Sequence, residues 1–225
     1  MYDIPESERQ RIRGAQAGPF VPLVDWEANP FADPPRSQPY DAELPLRGFA
    51  SEKALADRVL ARLEPWFVID REVRGTHCCG KHLRVDAMLR PRNAQVWADP
   101  DVAFGVEFKQ PPLQAGENAY TKWLAQAVDY THVDWDNYGH RLIFTCPGAA
   151  AWLDTAPAPN PHADPNRRRD VHIAKRLAGQ LNLGELVLRW SSGLTFLLNG
   201  ENIWSERFDV SNGRSWKLRR KIGSR

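Results

Sequence analysis

The chain has 225 residues, 42% of them hydrophobic and 26% charged, which is enough apolar material for one sizeable core, or one core with a small appendage. Thirty Lys and Arg against 28 Asp and Glu leave a formal charge of +2 at pH 7, so no global field of one sign marks a partner and any basic site must be local. No apolar run approaches the roughly 18 residues of a membrane span, and the opening MYDIPESERQ lacks the layout of a secretory signal. The expectation is a soluble, cytoplasmic protein with no membrane partner. Three cysteines, with Cys78 and Cys79 adjacent and Cys146 apart, make a poor disulfide framework and fit a reducing compartment.

Eight of the 18 prolines fall in the first 48 residues, and no apolar pattern there lasts long enough to build an element. Residues 1–48 therefore read as a proline-rich extended arm. From Ser51, a helix N-cap candidate, apolar residues Ala54, Leu55, Val59, Leu60 and Leu63 recur at helical spacing as far as Pro65. FVIDREVRGT (67–76) and HLRVDAMLRP (82–91), joined by a polar turn, predict a β-hairpin, and VAFGVEFKQ (102–110) a third strand stopped by Pro111 and Pro112. A second helix is expected over 117–134, then a short strand over 141–148. This order of helix, three strands, helix and strand is an α/β layout that can form one sheet flanked by helices, in a core spanning 49–148. Residues 149–225 read as a C-terminal α/β extension with a basic tail. It begins as a proline-rich loop, followed by a helix near 167–181, the strand ELVLRW and a hairpin turning at Asn199-Gly200. These strands either extend the sheet or form a small cap.

The chemistry concentrates on Asp86 in the second strand and Glu107-Phe108-Lys109 in the third. Alternation puts Phe104, Val106 and Phe108 toward the core and Glu107 and Lys109 on the opposite face. Adjacent strands can bring Asp86 beside Glu107. Two carboxylates with the Phe108 carbonyl make an all-oxygen site suited to Mg²⁺ or Mn²⁺. Lys109 can orient or deprotonate a water and neutralise phosphate charge. On the second helix, Gln126 and Tyr130 stand four apart on one face with Lys122 a turn earlier, a set able to hold a phosphate or a base.

Through RVDAML and GVEFK, Asp86, Glu107 and Lys109 resemble the signature of the PD-(D/E)XK nuclease superfamily, over residues 51–148. Val85 stands where that signature nominally has proline. Gln126 and Tyr130 look like the QxxxY motif of its RecB and lambda-exonuclease branch. The resemblance implies a restriction-endonuclease-like αβββαβ core, with a mixed central sheet flanked by helices. It implies a Mg²⁺- or Mn²⁺-dependent deoxyribonuclease, with an exonuclease of recombination, repair, phage or defence processes as the kind that branch suggests. In many relatives a glutamate of the first helix also reaches the metal, a role open here to Glu52, with Glu72 as competitor; an acid in a helix's first turn also simply favours the dipole.

Arg167, Arg168 and Arg169, and the tail containing Arg219 and Arg220, are candidate phosphate contacts for DNA, alongside Lys122. Trp97, Trp123, Trp190, Trp204 and Trp216 are candidate stacking surfaces. The run Thr76-His77-Cys78-Cys79-Gly80-Lys81-His82 carries soft ligands, but adjacent cysteines chelate poorly and it reads as a hairpin turn. His132 and His140 could approach the site from the end of the second helix. Two rival readings are an inactive nucleic-acid-binding or assembly protein that keeps the nuclease fold, and an interaction protein whose arm holds a partner chain or a second copy.

Overall fold

A computed structural model describes residues 43–44, 46, 49–94, 97, 99, 101–111, 119–153, 165–189, 192–206 and 210–211. Arm residues 1–42 and the tail beyond 211 lie outside the described residues. The fold is α/β. Helix α1 (Glu52–Leu63) opens on Ser51, whose side chain accepts the Ala54 N–H, and buries Leu55, Val59, Leu60 and Leu63. Strands β2 (Phe67–His77) and β3 (His82–Pro91) form the expected hairpin. β4 (Phe104–Phe108) is shorter than the pattern suggested, leaving Lys109 just beyond its end. α2 (Ala119–Tyr130) precedes β5 (Val133–Trp135) and β6 (Leu142–Cys146). α3 (Ala149–Leu153), α4 (Pro165–Gln180), β7 (Leu183–Arg189), β8 (Gly193–Leu198), β9 (Glu201–Ser205) and the two-residue β10 (Val210–Ser211) complete the described chain.

The described strands form one ten-stranded mixed sheet in the order β10, β9, β8, β7, β6, β4, β3, β2, β5, with β1 (Glu43–Leu44) on β7. β4, β6 and β7 run parallel and the other pairs are antiparallel. The strands after residue 149 thus extend the sheet and do not cap it, and the chain just before residue 48 contributes β1 to the same sheet. α1 packs over one face with Phe104, Val106 and Phe108 in a core that includes Phe67, Phe144, Phe196 and Trp204. The other face carries Val85, Met88, Ile143, Ala127 and Tyr130. Asn199 and Gly200, at φ 55 and 78, make the β8–β9 turn with both residues left-handed, the conformation Asn-Gly favours.

The second helix stops at Tyr130 and not at Asp134, because Val133–Trp135 pairs with the far end of β2. That pairing requires Gly75: a Cβ there would sit 2.5 Å from Val133 Cγ1 and 2.7 Å from the Asp134 carbonyl oxygen. Trp135 in turn packs edge-on against Tyr130 with ring centroids 5.8 Å apart. Gly75→Ala is expected to cost about 1–3 kcal/mol by overpacking and to loosen the Tyr130 ring, measurable as a lower urea midpoint and a shifted Tyr130 aromatic resonance. Unchanged values would show that β5 has room to yield.

Candidate active site

Antiparallel β3 and β4 are in register at Ala87 opposite Val106, which sets Asp86 beside Glu107 just where the β3–β4 ladder ends. There the two carboxylates take over the bonding. The Phe108 N–H donates to Asp86 Oδ2 at 2.8 Å, and the Asp86 N–H donates to Glu107 Oε2 at 3.2 Å. The Lys109 N–H points the other way, to the Cys146 carbonyl at 2.9 Å. In extended chain the N–H and C=O of one residue leave by the same edge, so the Phe108 carbonyl faces the Asp86 side.

Helix α2 closes the site from above. Tyr130 donates its hydroxyl to Glu107 Oε1 at 3.2 Å, and the Gln126 amide donates to that hydroxyl at 3.0 Å. The i, i+4 pair thus acts on the carboxylate in series. Glu107 is only 6% exposed. Burial, and then the like charge of Asp86, push its carboxyl up to about 8, against the opposing pull of the Asp86 N–H and the Tyr130 hydroxyl. Asp86 is also raised, first by burial and then by the charge of Glu52, although its bond from Phe108 works the other way. Burial and the neighbouring Glu107 lift Tyr130 to about 12, so it remains a donor at neutral pH.

α1 supplies the remaining wall. Glu52 Oε2 lies 3.2 Å from the Lys109 ammonium and accepts the Gln110 N–H at 3.4 Å. Both ends of this pair are about two-fifths exposed, so it orients Lys109 more than it stabilises the fold. Glu107 and Lys109 therefore diverge: one is held by α2 and the other by α1. Glu72 stands elsewhere, at φ 54 and 65% exposed in its side chain, 3.4 Å from Arg84.

The structure thus brings together Asp86, Glu107, Lys109, Gln126, Tyr130 and Glu52. Lys122 is exposed on α2, one turn before Gln126. Arg167, Arg168 and Arg169 fall in the first turns of α4, where side chains are not described, and Arg219 and Arg220 lie outside the described residues. The stacking expectation fails for three tryptophans, since Trp97, Trp123 and Trp204 are core residues; Trp190 and Trp216 lie outside the described residues. His132 packs toward His77 at the far hairpin turn, and His140 bonds the Val133 carbonyl. Cys146 is buried, with its thiol pushed up by burial, as a small core residue would be.

Sequence reading missed the continuation of this polar row across the sheet. In register with Glu107 on β6 is Thr145, and beside that on β7 is Glu185. Glu185 is buried and pushed up to about 7 by burial, an effect that Lys175 opposes. Its Oε1 accepts the Ala149 N–H at 2.6 Å. Nothing in ELVLRW sets this glutamate apart from a wet-face acid; the pairing of β6 with β7 places it, and Ala149 and Lys175 cover it.

Among the described residues, no three His, Cys, Asp or Glu side chains are grouped to hold a metal ion. A divalent cation here would therefore rest on Asp86, Glu107 and main-chain oxygen. That donor set fits a hard ion: it is all oxygen, and both carboxyls are raised, first by burial and then by a neighbouring acid, Glu52 for Asp86 and Asp86 for Glu107. No family model, no curated protein and no solved structure matches the chain. Among the described residues, no helix is long and apolar enough to cross a membrane.

Proposed function

We propose that the protein is a metal-dependent nuclease that hydrolyses DNA phosphodiester bonds on a restriction-endonuclease-like core formed by α1, β2, β3, β4, α2 and β6. The observation that carries this reading is the placing of a half-buried Asp86 beside a buried Glu107 where the β3–β4 ladder ends, the charge of Asp86 raising Glu107, with a lysine one residue past β4. Holding two ionised carboxylates side by side where water is largely excluded is costly unless a cation or protons share the site. Asp86, Glu107 and the Phe108 carbonyl would hold Mg²⁺ or Mn²⁺, which would supply Lewis-acid polarisation of a phosphate. Lys109, kept in place by Glu52, positions the water and neutralises phosphate charge. Tyr130 and Gln126 fix the Glu107 carboxylate, and Lys122 and the basic segments hold the DNA backbone.

A non-catalytic DNA-binding role is the second reading, favoured by one observation. Both carboxylates already satisfy backbone N–H groups at the strand ends, a job they could do without a cation. Incubating end-labelled linear and covalently closed DNA, single- and double-stranded, with Mg²⁺, Mn²⁺ or EDTA separates the two. Cation-dependent cutting is expected, with closed circles resisting if cleavage starts at ends; binding without cutting under every cation would favour the second reading.

The relay through α2 has its own test. Tyr130→Phe removes one hydroxyl from an otherwise intact helix and is expected to weaken cation affinity or cleavage about 10–100-fold, as loss of a group holding a metal ligand typically does. Unchanged Mn²⁺ affinity and cleavage would remove Tyr130 from the site.

A further inference from the structure

The turn joining β2 to β3 carries side chains that the proposed nuclease site does not use. Gly80, at φ 84, lets the chain reverse, and its N–H donates to the His77 carbonyl at 2.7 Å. Cys78 and Cys79 are free and exposed, but they are not equivalent. Cys79 Sγ lies 2.8 Å from His77 Nδ1, whereas Cys78 Sγ is 3.8 Å from that nitrogen and 3.9 Å from Nε2. The Cys79 backbone N–H also donates to Nδ1, at 3.2 Å. A ring nitrogen that accepts a backbone N–H presents its lone pair there, so the imidazole proton sits on Nε2 and the Cys79 thiol is the donor. Residues 73–85 contain Arg74, Lys81, Arg84, His77 and His82 and no Asp or Glu. The nearest acid in register is Asp134 on β5, opposite Thr76. An exposed thiol that donates to an imidazole can pass its proton to that ring and become a nucleophile.

We propose that Cys79 is a thiol-modification site, with His77 as its base and a low-molecular-weight disulfide as its reactant. His77 takes the thiol proton and the Cys79 thiolate attacks one sulfur of the disulfide. A new bond forms between that sulfur and Cys79, the original S–S bond breaks, and the departing thiolate recovers the proton from the imidazolium. Cys78 does not then displace the adduct. Adjacent Cα atoms are about 3.8 Å apart, inside the roughly 4.4 Å lower bound for a disulfide, so closing a Cys78–Cys79 ring would distort the turn. The product is a stable mixed disulfide on one face of the hairpin, and the buried Cys146 takes no part.

The test is exposure of the full-length folded protein to oxidised glutathione, with site occupancy followed by peptide mass spectrometry. One adduct on Cys79 is expected, formed about tenfold faster than on Cys78, and His77→Ala should slow it about tenfold while leaving Cys78 within about twofold. A Cys78→Ser variant keeps the Cys79 rate, and an unchanged melting temperature shows that each variant is folded. Equal rates at the two cysteines, indifference to His77→Ala, or a product two mass units lighter than the dithiol with no adduct would each overturn the proposal. Because no readout involves DNA or a metal, the result is independent of the nuclease reading.

Discussion

Lys109→Ala is expected to lower the proposed cation-dependent DNA cleavage by about 10²–10⁴-fold, the range for removing a positioned proton-transfer group, and to leave Mn²⁺ binding intact. Asp86→Asn should lower cleavage as much and lose the ion as well. The two variants separate because Lys109 lies beyond β4, half-exposed on Glu52, whereas Asp86 sits between the strands on the Phe108 N–H. Losing Lys109 removes only a weak, solvent-screened pair, so the fold should be scarcely affected. Glu52→Gln is intermediate: the lysine remains but is no longer held, and the loss of cleavage should be smaller than for Lys109→Ala. Single-turnover rates on one DNA substrate, read beside Mn²⁺ affinity, check all three. Cleavage by Lys109→Ala at the wild-type rate would remove the lysine from the chemistry.

The second large effect runs against the usual direction of a site mutation. In EDTA at pH 8, Glu107→Gln is expected to raise the melting temperature by about 5 °C, taking about 2–4 °C per kcal/mol for a chain of this size. The folded protein binds the Glu107 proton more tightly than the unfolded chain does, since burial and Asp86 raise the group from 4.5 to about 8. Between those values the native state holds a proton that the unfolded state has released, so stability falls as pH rises through this window. Below about pH 4.5 both states are protonated and the contribution is fully present. Glutamine cannot ionise, so the variant escapes the loss: its advantage should appear at pH 8 and vanish near pH 5. Mn²⁺ should stabilise the wild type at pH 8 and do little for the variant. Thermal unfolding at the two pH values, with and without Mn²⁺, checks this; a variant less stable than wild type at pH 8 would mean that its bonds to Asp86 and Tyr130 outweigh the charge.

The parts of this site that could be read from sequence are those fixed by local periodicity. Alternation in GVEFK placed Phe104, Val106 and Phe108 on one face, and they do pack together under α1. The Gln126 and Tyr130 spacing put both on one side of a helix, and they are hydrogen-bonded. What sequence could not supply was which element each polar group would meet. Lys109 and Glu107 share a parity, yet one ends on α1 and the other on α2, because the strand stops between them. Glu52 was the candidate from the first helix and Glu72 its competitor until the structure put Glu72 at the break in the β2–β3 register, between the pairs Arg71 with Ala87 and Val73 with Val85, with its side chain on Arg84. Val133 and Asp134 read as the end of a helix, and pairing with Gly75, Thr76 and His77 of β2 makes Val133–Trp135 a strand. Glu185 drew no reading from sequence for the same reason, since its place beside Thr145 on β6 and under Ala149 and Lys175 is set by distant parts of the chain.

The central claim is that Asp86 and Glu107 together hold a divalent cation, and equilibrium Mn²⁺ binding tests it with no assumption about substrate. Free Mn²⁺ can be titrated by electron paramagnetic resonance against the wild type, Asp86→Asn and Glu107→Gln at pH 7.5, each checked for folding by its thermal transition. The account predicts saturable binding to the wild type that both folded variants lose. Wild type that leaves Mn²⁺ free throughout, or variants that bind it as well as the wild type, would contradict it.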